Sequence, residues 1–337
     1  MIRGAIIGLG KMGLSHAAIL GGNPNVDFVA VCDTSTFVMD AFKRFTAVRT
    51  YKDYKEMIEK ENLDLVLIAT PTRFHYPMVK YALEKGLHVF CEKPFSLISK
   101  EGEELLALAT ENSLVNQVGY HNNFIGTFRE LKRLLKAGVL GELVHFTGTA
   151  YGPVVVKEKC GTWRSKPEEG GGCLYDYASH VLNLIQETIG RPIKASGSQL
   201  KNIYSESVED AVYSMLTLDN GVSGSLSVNW SDETYRKMST TISVIGKNGK
   251  IICDATEIKI FLKEADKKEG LDKGWTTKYI TDLALPVNFY LRGEEYSAQV
   301  DHFIDSILNK KQSDYNTFEQ GLYTDKVVEM IIEDFKN

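Results

Sequence analysis

The 337-residue chain has no apolar run approaching the ~18 residues a bilayer-spanning helix needs. Its first strand-like run starts at residue 2 and leaves no room for a signal peptide. These absences predict a cytoplasmic protein without a membrane partner. Cysteine is scarce: the five (Cys32, Cys91, Cys160, Cys173, Cys253) are odd in number, widely spaced and form no Cys-x-x-Cys pair. A reducing compartment is expected, with neither a disulfide framework nor a zinc or other metal site. Cys32, Cys91 and Cys253 lie in apolar runs, where cysteine acts as a small hydrophobe. Excess positive charge is lacking too. With 39 Lys and Arg against 44 Asp and Glu, the net charge of −5 argues against a general nucleic-acid or anionic-membrane binder. It leaves room for a small anionic ligand, which needs only a few local cations.

What is present fits an ordinary globular α/β protein of two domains. Residues 1 to about 120 alternate apolar strand candidates (Ile2–Ile7, Phe28–Cys32, Leu63–Ala69, Val89–Cys91, Val115–Gly119) with amphipathic stretches at Tyr54–Lys60, Tyr76–Lys85 and Lys100–Asn112. That alternation predicts a doubly wound parallel sheet. After residue 120 a helix at Thr127–Ala137 precedes strands at Leu143–Tyr151, Val208–Leu218, Val222–Trp230, Thr240–Ile245, Lys250–Cys253 and Ile258–Leu262. The turns Asp219-Asn220-Gly221 and Lys247-Asn248-Gly249 have hairpin chemistry, because Asn-Gly readily takes φ > 0. A large, mostly antiparallel sheet with a helix on one face follows. Terminal helices are expected near Glu294–Leu308 and Thr317–Asp334, and Glu264–Gly274 reads as an exposed loop. The domains are expected at 1–120 and 121–316, with a helix at 317–335 free to pack back on the first.

The first strand feeds Gly8-Leu9-Gly10-Lys11-Met12-Gly13. In a dinucleotide-binding βαβ unit the first glycine makes the tight turn, the second admits the pyrophosphate and the third lets helix and strand pack closely. The helix start then offers N–H groups and a dipole to the phosphates. The next strand ends at Asp33, about 20 residues past Gly13, where an acid accepts both ribose hydroxyls and repels a 2′-phosphate. NAD is therefore favoured over NADP.

Two further strand ends carry Thr70-Pro71-Thr72 and Glu92-Lys93-Pro94. Ligands of doubly wound folds bind beyond such ends, so Lys93 reads either as a cation near the nicotinamide or as a solvated lysine of a βα loop. Further on, Gly170-Gly171-Gly172 leads into a helix with Asp176 and His180 at i, i+4. The glycines leave N–H groups and space for a ligand, and a carboxylate one turn from an imidazole can orient it. Alone, the pair reads first as a dipole partner and a half-buried histidine.

In order and separation, these motifs resemble the glucose–fructose oxidoreductase/inositol dehydrogenase (Gfo/Idh/MocA) family across essentially the whole chain. The resemblance implies an N-terminal Rossmann domain and a C-terminal α/β domain whose open sheet builds a homodimer or homotetramer. It places Lys93, Asp176 and His180 in catalysis on a substrate hydroxyl. It extends the cofactor set beyond the three glycines and Asp33 to Lys11, Met12, Thr70, Pro71, Thr72, His75, Glu92 and Lys93. Tyr120, Asn122, Trp163, Arg164, Asp176, Tyr290 and Arg292 are the implied substrate residues. Asn123 stands where many relatives carry arginine. Arg164, with Lys157 and Lys159 nearby, favours a nucleotide-linked or anionic sugar as substrate. The alternatives are an inositol or free-polyol dehydrogenase, an NAD-dependent glycosidase and a non-catalytic NAD-binding regulator.

Overall fold

The computed structural model describes residues 1–157 and 162–337, so Lys159 and Cys160 lie outside the described residues. The chain forms two compact units. The first comprises Met1–His121 and Pro286–Leu322. Its elements are β1 (Ile2–Ile7), α1 (Lys11–Gly22), β2 (Val26–Cys32), α2 (Thr36–Phe45), β3 (Arg49–Tyr51), α3 (Tyr54–Lys60), β4 (Leu65–Ile68), α4 (His75–Glu84), β5 (His88–Cys91), α5 (Ser99–Glu111) and β6 (Asn116–Val118). The six strands form one parallel sheet in the order β3-β2-β1-β4-β5-β6. Helices cover both faces, which explains the unbroken apolar runs. Alternate side chains feed opposite cores: Ala5, Ile7, Val66 and Ile68 join α4 and α5, while Ile6, Leu65 and Leu67 join α1.

The second unit comprises Asn122–Leu285 and Tyr323–Asn337. It contains α6 (Gly126–Lys136), β7 (Leu143–Tyr151), α7 (Ser179–Thr188), β8 (Pro192–Lys201), β9 (Ala211–Leu218), β10 (Ser223–Asn229), β11 (Ser239–Gly246), β12 (Gly249–Asp254), β13 (Glu257–Leu262), β14 (Gly274–Tyr279) and α8 (Ile280–Leu283). Its eight strands run in the order β14-β13-β12-β11-β7-β10-β9-β8, antiparallel except where β10 meets β7. Helix α7 packs against β7 at Gly148, where a Cβ would stand 2.7 Å from Val181 Cγ1.

Three expectations are corrected. The segment 286–316, expected in the second domain, clusters with the first unit. The cause is α9 (Glu294–Leu308), whose Val300, Phe303 and Ile304 are buried in one core with Ile6, Leu20 and Phe90. The last helix, α10 (Phe318–Lys336), begins in the first unit and continues in the second. At the β9–β10 hairpin Gly221 takes φ +82, as Asn-Gly chemistry requires. Neither Asn248 nor Gly249 has positive φ. Gly249 is needed for a different reason: its Cβ would lie 1.9 Å from the Phe261 carbonyl oxygen of neighbouring β13. Among the described residues no helix is long and apolar enough to cross a membrane, and no cluster of three His, Cys, Asp or Glu could hold a metal.

Candidate functional site

Parallel order puts Gly8, Asp33, Thr70, Glu92 and Gly119 at the carboxyl ends of β1, β2, β4, β5 and β6. Gly8 has φ +93, and a Cβ there would lie 2.8 Å from the Ala69 backbone. Gly13 touches the turn, its Cβ falling 1.8 Å from Gly8 O. Gly10 differs: a Cβ there meets nothing within 4 Å. Of the three glycines, only Gly10 faces open space. Helix α1 starts at this point without a side-chain cap, leaving its first-turn N–H groups to other partners. Asp33 Oδ2 accepts from the Leu9 amide at 2.5 Å and Oδ1 from Ser35 N at 2.7 Å. The acid thus braces the glycine turn. Lys11 is exposed, Met12 and Thr70 are half-buried, Pro71 is exposed and Thr72 is buried.

His75 is buried and spans two loops, with Nε2 2.9 Å from Thr70 O and Nδ1 3.0 Å from Pro94 O. Burial lowers its pKa, against the two carbonyls. His75 is thus a strut between the Thr-Pro-Thr and Glu-Lys-Pro loops. Lys93 is half-buried. Beneath it the Glu92 carboxylate accepts from Lys93 N at 3.2 Å and lies 2.6 Å from His16 Nε2. Tyr120 is only 1% exposed and belongs to the first unit's core. Arg292 has φ +64, and its guanidinium lies 3.4 Å from Ser15 Oγ of α1 and over the Tyr296 ring. It therefore sits beside the glycine-turn helix, with exposed Tyr290 in the same segment.

In the second unit Asn122 is buried, and its Nδ2 has no partner among the described residues. Asn123 donates to Asn183 Oδ1 at 2.6 Å, and Asn183 donates to Thr324 Oγ1 at 3.2 Å. Asn123 is thus part of a buried amide ladder. The Asp176 carboxylate is buried and accepts from Arg164 Nε at 2.9 Å, while Arg164 also stacks on Trp163. His180, 4% exposed, lies in the first turn of α7. Asp176 lies in a π-helical turn over Leu174–Ala178. Such turns recur at functional sites.

The glycine run does not form the cradle expected of it. Gly171 N donates to Lys166 O and Gly172 N to Arg164 O, spending those N–H groups on the preceding turn. Cβ atoms would collide with Arg164 O at Gly171 and with the Glu209 carboxylate at Gly172. Close packing demands these glycines. Glu209 accepts from Leu174 N at 2.8 Å, and burial pushes its pKa up.

Sequence reasoning missed His16 and Glu209. One signal was available for His16, a histidine one turn past Gly13 on the face of α1 that carries buried Ala17, Ile19 and Leu20. His121 stacks on Tyr296 at 4.6 Å, a pairing between segments remote in the chain.

A family model described as "Oxidoreductase family, NAD-binding Rossmann fold" matches residues 2–120, and the "GFO/IDH/MocA C-terminal domain" matches 128–252. The chain is 31% identical over 195 residues to the uncharacterized oxidoreductase YdgJ of Escherichia coli (strain K12), covering 57% of this chain and 55% of that protein. It spans about half the length of the curated relatives it matches first. Similarity to scyllo-inositol 2-dehydrogenase (NAD(+)) of Bacillus subtilis (strain 168) is 24% over 317 residues, covering 92% of this chain and 87% of that protein. Levoglucosan dehydrogenase in complex with NADH shares the fold at TM-score 0.89 and 19% identity, covering 99% of this chain and 97% of that one.

Proposed function

Because this chain belongs to the Gfo/Idh/MocA family of oxidoreductases and carries its NAD-binding Rossmann fold, we propose that it moves hydride between a carbinol carbon of a neutral sugar or cyclitol and NAD. The residues fit the cofactor. Gly10 leaves room for a pyrophosphate at the uncapped start of α1. Asp33, braced by Leu9 and Ser35, presents acceptor lone pairs to the adenosine ribose and opposes a 2′-phosphate.

Bound NAD supplies the hydride acceptor, C4 of its nicotinamide. The chain's task is to hold the alcohol and remove its hydroxyl proton while hydride leaves the same carbon. Lys93, at the carboxyl end of β5, holds the hydroxyl oxygen and offsets the growing alkoxide charge. His180 takes the proton. Asp176, braced by Arg164, binds a neighbouring hydroxyl.

The observation that carries the substrate class is the 2.9 Å Arg164–Asp176 ion pair. The guanidinium expected to meet a substrate anion already has its charge matched within the chain. Arg292 lies beside α1 and Lys157 is exposed, so neither strengthens an anionic reading. A neutral polyol is favoured over the nucleotide-linked sugar that sequence alone suggested. A homo-oligomer through the eight-stranded sheet is part of this reading. Register puts exposed Tyr213, Met215 and Ile245 on one face with the Ser and Thr of β7 and β10.

The test is NADH formation from NAD with inositols, free aldoses and anhydrosugars, compared with UDP-sugars. Reduction by a neutral compound is expected. Reduction only by UDP-sugars would overturn the substrate class, and bound NAD unreduced by any of them would favour a regulator.

A further inference from the structure

The pair His16–Glu92 has no place in the reaction described so far. His16 is fully buried in α1, three residues past Gly13, and its Nε2 lies 2.6 Å from Glu92 Oε1 at the end of β5. Its ring edge packs on Phe90 at 5.2 Å. Nδ1 has no partner among the described residues, which suits a ring protonated at Nε2 and donating to Glu92. The other carboxylate oxygen accepts from Lys93 N. Space for this carboxylate is kept by Gly119, whose Cβ would stand 2.9 Å from Glu92 Oε2.

A buried ionisable pair is a poor source of stability, since apolar residues of similar volume often serve as well or better. This pair ties the helix that follows the glycine turn to the loop that carries Lys93. We propose that His16 is a positioning residue: by anchoring the Glu92 carboxylate, it keeps a negative charge beside Lys93 and fixes the Glu-Lys-Pro loop for proton handling. The inference rests on the role given to Lys93 above. Burial alone would push the Glu92 carboxyl up; the His16 hydrogen bond, with the charge of Lys93, outweighs it and holds the carboxyl low. The other groups that feel Glu92 are His75 of α4, His121 after β6 and Tyr296 of α9, with Arg292 acting on His121. The His16 imidazole, at 2.6 Å, is the side chain hydrogen-bonded to Glu92 Oε1.

Without His16, Glu92 is driven toward its neutral form and the ammonium of Lys93 loses a neighbouring anion. The experiment compares wild type with His16→Phe, His16→Gln and Glu92→Gln. It measures the rate of Lys93 acylation by acetic anhydride at fixed pH, read by mass spectrometry, together with NADH affinity by fluorescence. His16→Phe and Glu92→Gln are expected to speed Lys93 labelling several-fold relative to the other lysines, because the ammonium loses its neighbouring anion. His16→Gln, which can still donate to Glu92, restores the wild-type rate, and both His16 variants retain NADH affinity. With a polyol substrate, His16→Phe should lower kcat about 10- to 100-fold with little change in KM. Unchanged labelling in His16→Phe, or in Glu92→Gln should the former not fold, overturns the proposal. The labelling needs no substrate, so it decides the point even if the dehydrogenase reading fails.

Discussion

The Leu9 amide donates to Asp33 Oδ2 at 2.5 Å, so the acid at the end of β2 also holds the glycine turn after β1. Asp33→Asn keeps an acceptor for Leu9 and loses the charge. It should weaken NADH binding about tenfold, as loss of charge-assisted bonds does, and relax the bias against NADPH. Asp33→Ala should do more damage, because the turn loses its brace as well. Fluorescence titration with both cofactors checks this; an Asn variant that binds NADH as tightly as wild type would contradict it.

The glycines of that turn should separate binding from folding. A Cβ at Gly10 touches nothing, and its φ of −65 suits any residue. Gly10→Ala should leave stability within about 1 kcal/mol of wild type while NADH affinity falls. Gly13→Ala drives a methyl into Gly8 O and should cost ~1–3 kcal/mol or more. Denaturant unfolding beside NADH titration distinguishes the two; equal losses of stability would refute the assignment.

His121 links pH to stability. Burial, with lesser help from Lys93 and Arg292 and against Glu92, lowers its pKa to about 4. An unfolded histidine titrates near ~6.5, so below that value the unfolded chain binds a proton that the native chain refuses. The contribution is full above pH ~6.5 and is lost as pH falls toward 4, at up to about 1.4 kcal/mol per pH unit. His121→Phe, which keeps an aromatic ring against Tyr296, should show a shallower loss of unfolding free energy over that window. Parallel curves for the two proteins would remove His121 from the acid response.

The sheet face of the second unit should govern assembly. Tyr213 and Met215 are 39% and 43% exposed in a single chain. The double variant Tyr213→Glu, Met215→Glu puts like charges on that face and should shift sedimentation toward monomer. A wild-type protein that sediments as a monomer at all concentrations would exclude the oligomer.

The strongest sequence signals came from elements whose burial is one-sided or complete. The runs of β1, β4 and β5, and the alternation in β7 and β11, stand out because a core faces them. Five elements went unread, among them the single-turn α8. Helix α2 buries only Met39, and β3 has three residues at the sheet edge. Strand β8 starts at a proline with two register shifts, and β14 is partly exposed throughout. None of these has enough buried surface to impose a period. The site divides in the same way. The spacing of Gly8, Gly10, Gly13 and Asp33 is a local constraint and could be read locally. The fates of Gly172, Arg164 and Tyr120 depend on Glu209, Asp176 and a whole core, which are remote in the chain. A glycine run that admits a ligand and one that admits a buried carboxylate look alike in one dimension.

The most direct measurement of the central claim is transfer of deuterium from carbon-deuterated inositol or aldose to NAD, run with wild type and Lys93→Ala in parallel. The account predicts deuterium at C4 of the NADH formed. It also predicts a rate at least ~10²-fold lower for Lys93→Ala, with NADH binding intact. No label in the cofactor, or equal rates for the two proteins, would contradict it.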